Sequence, residues 1–226
     1  MAAGAASPGP RGPQGPWPPL DHVYDSWSSW EVAEARLAWH GLSRIRLAEL
    51  RQGWAFAMHH HGRQRRPSGA PYAEHLLETI EVLVEGPGVL RREVLLAALL
   101  HDVVEDTPCT VEDVGDQFGP EVAELVGWVT KPPTLRGQDR LAVREAYLAR
   151  LAEAPADAVL VKLADRLGNV QKLENLPGEA RRERYYHETV RWILPLAATV
   201  PDGAWFAGRY AAWRERWRHL EHPRPT

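Results

Sequence analysis

The sequence predicts an all-α bundle forming one domain. Three observations lead there. Apolar residues recur at three- and four-residue spacing along most of the chain. Those runs are punctuated as helices are, with Gly at their ends and Pro in their first turns. No stretch alternates apolar and polar residues as a half-buried strand does, and no internal repeat is present.

The elements follow in order. "SWEVAEARLAWHG" and "SRIRLAELRQGWAFAMHHHG" carry helical spacing and each stops at Gly. "PYAEHLLETIEVLVEG" opens with Pro and ends at Gly86. "REVLLAALLHDVVED" is apolar nearly all round, which predicts one central helix through Asp106. "TVEDVGDQF" begins at a capping residue, Thr110, with Asp113 three residues on. "GPEVAELVGWVTK" restarts with Pro in its first turn. Further helices are expected near 137–153 and 156–174 and in the segments 181–200 and 201–220. The domain is expected over 28–222. Residues 1–27 should form a disordered tail, because the first twenty hold six Pro and four Gly and bury too little apolar surface to offset ordering.

Bulk properties narrow the function. A chain of 226 residues is long enough for a buried core. A net charge of −3 offers no overall field for nucleic acid or an acidic membrane. No run approaches the roughly 18 apolar residues of a membrane span, and the N-terminus has no secretory h-region. The single cysteine, Cys109, excludes an internal disulfide and suits a reducing, cytoplasmic setting, where it reads as a packing residue. The oligomeric state has no signature here.

The chemistry gathers around "LLAALLHDVVEDT", where a buried-looking helix runs into His101, Asp102, Glu105 and Asp106. Adjacent His101 and Asp102 can reach one ion beside the helix, and imidazole with carboxylate suits a first-row divalent metal. His75 on the preceding helix and Asp165 in "VLVKLADRLGNV" complete a set of two nitrogens and two oxygens from three helices. A carboxylate as deeply placed as Asp165 needs a compensating cation or donors. Glu105, Asp106 and Asn169 each lie four residues beyond a candidate ligand, so they border its open side. Carboxylates there can orient or deprotonate water. Arg63, Arg65 and Arg66 precede the helix of His75 and match phosphate oxygens or stack on bases. Together these residues read as phosphoester hydrolysis.

Two other clusters have plainer readings. His59–His61 splay around the helix and read as a polar helix end. Phe206, Tyr210, Trp213, Trp217 and Leu220 form an aromatic stripe that should pack on the bundle, with Arg209, Arg214, Arg216 and Arg218 outward.

The order His75, then His101–Asp102, then Asp165 resembles the signature of the HD phosphohydrolase superfamily. "HGRQRRPSGAPYAEH", "LLAALLHDVVEDT", "VEDVGDQFGPEVAELVGWVTK" and "VLVKLADRLGNV" resemble, in order and spacing, the hydrolase domain of RelA/SpoT-type alarmone enzymes, over about residues 44–200. The resemblance implies an HD-domain helical bundle and a metal-dependent, usually manganese-dependent, hydrolase. Such an enzyme removes the 3′-pyrophosphate of (p)ppGpp to give GDP or GTP and pyrophosphate. It implies His75, His101, Asp102 and Asp165 as ligands of one divalent metal and Glu105 and Asp106 as catalytic acids. Arg66, with Arg65 beside it, would stack on the base, and Asn169 would contact the nucleotide.

Too few residues follow position 180 for a synthetase domain, so a stand-alone small alarmone hydrolase is expected. Pro67, Gly168, Gln171 and Lys172 depart from the family pattern, and all border the expected substrate rather than the metal. The alternatives are the same chemistry on (p)ppApp, the 2′-phosphate of NADPH or a nucleoside monophosphate, or an inactive nucleotide-binding partner protein.

Overall fold

The computed structural model describes residues 21–221. Among them the regular structure is helical: α1 Trp30–Trp39, α2 Arg44–His61, α3 Tyr72–Glu85, α4 Arg92–Leu100, α5 Val103–Asp106, α6 Val111–Phe118, α7 Pro120–Val129, α8 Arg140–Arg150, α9 Ala156–Val170, α10 Glu179–Glu188 and α11 Gly203–Arg216. Thr110 accepts from the Asp113 amide and Asp113 returns a bond to the Thr110 amide, the reciprocal cap its sequence announces. Gly119, at φ 98°, turns the chain from α6 into α7. No described helix is long and apolar enough to cross a membrane.

The centre of the bundle is α4. Val94 through Leu100 are each at most 1% exposed, as a helix apolar on every side must be. It packs against α2, α3, α7 and α9, and α3 packs along α9. The crossing with α2 is close because Gly53 has no side chain. A Cβ there would sit 2.7 Å from Leu96 Cδ2.

Three expectations change. The central helix does not run unbroken to Asp106: α4 stops at Leu100, His101 and Asp102 form a turn, and α5 follows. The His101 ring explains the break, since its Nδ1 lies 2.8 Å from the Ala98 carbonyl oxygen that a continued helix would give to the Asp102 amide. The segment 181–200 is not one helix either. Its α-helix passes through a π turn at Thr189–Ile193 into a 3-10 turn at Leu194–Thr199. Pro195, which has no N–H and crowds the preceding turn, enforces that change.

The third change is the domain boundary, expected at residue 28. Tyr24 and Trp27 are buried in the core. Gln171 bonds both the Tyr24 amide and carbonyl at 2.9 Å, and Glu81 accepts from the amides of Ser26 and Trp27. The remainder of the expected tail, 1–20, and position 222 lie outside the described residues. At the other end the aromatic stripe packs inward as expected through Phe206, Tyr210 and Trp213. Arg209 departs from the outward reading. It is 4% exposed and its guanidinium lies over the Tyr24 ring.

Candidate active site

The break after α4 aims two side chains at one point. Because His101 donates its Nδ1 hydrogen to Ala98, Nε2 is the ring atom turned to the interior. That atom lies 3.2 Å from Nε2 of His75, one turn into α3. Oδ1 of Asp165, from α9, lies 3.2 Å from His75 Nε2 and 3.6 Å from His101 Nε2. Asp102 Oδ2 lies 3.0 Å from His101 Nε2 and 3.6 Å from His75 Nε2. The four expected groups are therefore brought together. The ligating atoms of His75, His101 and Asp165 all lie within 4.8 Å of one another and could hold a metal ion. Two imidazole nitrogens facing each other at hydrogen-bond distance, with carboxylates on both sides, are a donor set that a divalent cation fits.

The electrostatics agree with a buried anionic nest. Burial opposes charge on His75, but the hydrogen bonds it donates to Asp102, Asp165 and Glu78 outweigh it and push its pKa up to about 10. For His101 burial is likewise outweighed, chiefly by the Asp102 charge, and the pKa rises to about 9. Burial raises the carboxylates, yet the His101 charge holds Asp102 well below the usual range. The Lys162 charge does the same for Asp165.

Around this point opens a cavity of about 400 Å³. Glu105 and Asp106 line it, as expected, but they are not equivalent. Glu105 accepts from the Lys131 amide at 3.0 Å and pairs with the Lys131 ammonium. Asp106 is exposed to the cavity and accepts from Gln64 Nε2 at 3.3 Å. Arg66 turns inward, donating to Glu78 at 2.8 Å and to Asn169 at 3.2 Å. Asn169 in turn donates to Asp165 Oδ1 at 2.6 Å, so one amide ties the arginine to the carboxylate. Arg65 lines the same cavity but spends a donor on its own loop, to the Gly69 carbonyl at 2.7 Å.

Several residues that matter here were not read from the sequence. Tyr72 donates its hydroxyl hydrogen to Asp102 Oδ2. Burial, then the charges of Asp102 and Asp106, hold that hydroxyl protonated by raising its pKa far above the ordinary value. Lys162 lies 2.7 Å from Asp165 Oδ2. Glu78 anchors Arg66, and Gly168 leaves room beside it: a Cβ at Gly168 would lie 3.6 Å from Glu78 Oε2 and 3.7 Å from His75 Nδ1. Tyr72, Glu78 and Lys162 all stand three residues from a candidate ligand, a spacing that could have found them. Arg144 and Arg166, joined by Glu188 on the cavity's far wall, left no such signal. His61 does end α2 as expected, but it turns inward. It is 5% exposed and stacks on Tyr72 with centroids 4.5 Å apart. Cys109 is buried, as expected.

The HD domain family pattern matches residues 53–201. The bifunctional (p)ppGpp synthase/hydrolase SpoT of Escherichia coli K12 is 38% identical over 159 residues, which are 69% of this chain and 22% of that protein. The guanosine-3′,5′-bis(diphosphate) 3′-pyrophosphohydrolase of Shigella flexneri matches to the same extent. The chain thus spans about a fifth of the length of these relatives. A solved metazoan ortholog of SpoT, which hydrolyzes ppGpp and plays a role in starvation responses, is 29% identical. It superposes with a TM-score of 0.67 over 76% of this chain and 97% of that one.

Proposed function

The chain belongs to the HD domain family, and on that premise we propose that it hydrolyses the 3′-pyrophosphate of guanosine alarmones, giving GDP or GTP and pyrophosphate. The observation that carries the reading is the convergence of His75 Nε2, His101 Nε2 and the Asp165 carboxylate beneath an open cavity, with Asp106 one turn from Asp102 and Arg66 opposite. The likeness to SpoT along nearly the whole metazoan ortholog supports it.

In this reading His75, His101, Asp102 and Asp165 hold one divalent cation, manganese by family resemblance. A cation bound there supplies positive charge for a phosphoryl oxygen and makes water more acidic. The chain's own groups do the rest. Tyr72 keeps Asp102 oriented by donating to its Oδ2. Asp106, the less engaged carboxylate, takes the proton of the attacking water, and Glu105 assists while bound to Lys131. Arg66 offers its planar guanidinium to the base, held in place by Glu78 and Asn169. Lys131, Arg144 and Arg166 line the cavity with positive charge suited to phosphate oxygens. With the base on the Arg66 side, the phosphorus attached to the ribose is the one that reaches the ligand cluster. Attack there expels the ribose 3′-oxygen and frees pyrophosphate in one piece.

The test is to incubate the purified chain with manganese and a nucleotide panel in heavy-oxygen water. Expected are GDP and pyrophosphate from ppGpp, with the label in pyrophosphate alone. Orthophosphate as the first product, or ready cleavage of GTP, would replace this reading with a general nucleotide phosphatase. Preferential turnover of (p)ppApp, NADPH or a nucleoside monophosphate would keep the chemistry and change the substrate.

A further inference from the structure

Between α2 and α3 the chain doubles back, and one residue holds the corner. The Gln64 amide donates to the His61 carbonyl at 2.9 Å, and the Gln64 carbonyl accepts from the Tyr72 amide at 3.0 Å. Arg65 and Pro71 pair across the same hairpin. With its backbone pinned on both sides, Gln64 extends its side chain to Asp106, donating from Nε2 to Oδ2 at 3.3 Å.

The other end of that side chain is also fixed. Gln64 Oε1 lies 2.8 Å from Nδ1 of His61. The His61 ring is buried and lies nearly parallel to Tyr72, with 20° between the planes. Its Nε2 is buried with no hydrogen-bond partner. With no acceptor beside Nε2, the ring nitrogen that donates is Nδ1, which gives its hydrogen to Gln64 Oε1. That proton selects the orientation of Gln64, because a flipped amide would turn two N–H groups toward the Nδ1–H and an oxygen toward the carboxylate.

We propose that Gln64, locked by His61, is a positioning residue for Asp106. It holds Asp106 through Oδ2, beside the Tyr72 hydroxyl, and so fixes the carboxylate in place to receive the proton of the attacking water. The proposal rests on the reading of Asp106 given above. It adds a support running from the buried end of α2 to the reacting centre.

Turnover and metal content of Gln64→Leu, His61→Leu and His61→Gln test it. Both Leu variants should lower kcat about 10-fold, the scale of a misplaced catalytic group, with KM within about 2-fold and metal content unchanged. His61→Gln, which keeps an N–H donor, should recover most of the loss. In an Asp106→Asn background Gln64→Leu should cost nothing further, since the group it positions no longer accepts a proton. An unchanged kcat in Gln64→Leu, or an equal loss in the Asp106→Asn background, would overturn the proposal. A second readout needs no turnover. The side-chain amide resonance of Gln64 should move in both Asp106→Ala and His61→Leu, and its staying put in both would also overturn the proposal. A wild-type chain that leaves ppGpp intact overturns the functional reading instead, and the amide resonance then decides the positioning alone.

Discussion

Lys162 and Asp165, one turn apart on α9, are joined at 2.7 Å deep in the bundle. Burial works against the ammonium, but the charge of Asp165 outweighs it and holds Lys162 protonated. The pair therefore compensates a carboxylate that the fold places among apolar side chains. Replacing Lys162 with Met should destabilise the metal-free protein by about 3–5 kcal/mol, the scale for an abandoned buried charge. Manganese should then raise the melting temperature more in Lys162→Met than in the wild type, because the cation takes over the compensation. Equal shifts in calorimetry would show that Lys162 and the cation do not share Asp165.

Asp102→Ala should lose both bound metal and activity, since it removes an anionic ligand from between two imidazoles. Elemental analysis after dialysis checks this. Stoichiometric metal with activity intact would remove Asp102 from the ligand set.

Glu105→Gln and Asp106→Asn should lower turnover by about 10²-fold or more, the scale of general acid–base assistance, while metal content stays near wild type. Asp106→Asn should be the more severe, because Glu105 is already committed to Lys131. Loss of metal in either variant would move that residue into the ligand set.

Arg66→Lys should raise KM more than a conserved charge suggests. A lysine cannot bridge Glu78 and Asn169 with one planar group, nor present a flat face to a base. Steady-state kinetics beside Arg65→Ala checks the assignment. A larger effect at Arg65 would show that the exposed arginine meets the nucleotide.

Glu188 gives the pH prediction. Burial raises its carboxyl, but the hydrogen bond from Arg144 and the charge of Arg166 outweigh this and leave its pKa lowered. A depressed carboxylate contributes stability above its unfolded pKa, about 4.3, and loses it as pH falls through the folded value. Denaturant titrations should therefore find Glu188→Gln weaker than wild type at neutral pH, with the gap closing below about pH 4. A gap independent of pH would mean that packing, not charge, is lost.

The cluster of His75, His101, Asp102 and Asp165 was legible because its residues stand out chemically. A buried apolar run ending in His101 and Asp102, and a carboxylate inside the apolar α9, each demand a partner that the other supplies. The helical fold was legible for the same kind of reason, in the spacing of α3 and the Thr110 cap. What escaped has a physical cause in each case. The break at His101 arises from a side chain competing for a backbone carbonyl, which leaves no trace in periodicity. Arg144 and Arg166 meet Glu188 only through tertiary packing. The Pro- and Gly-rich opening masked Tyr24 and Trp27, because composition averages over a window and two buried aromatics vanish in it.

That last segment has a consequence for handling the protein. Glu81 lies 1% exposed on α3 and is bonded by the amides of Ser26 and Trp27. Gln171, next to the end of α9, spends both ends of its amide on Tyr24. An expression variant trimmed to begin at Ser28 would strand a carboxylate and an amide inside the bundle and unroof the ring of Trp205. Protease trimming should accordingly spare residues 21–27, and a variant meant to keep the bundle intact retains these seven residues, which helical periodicity passes over.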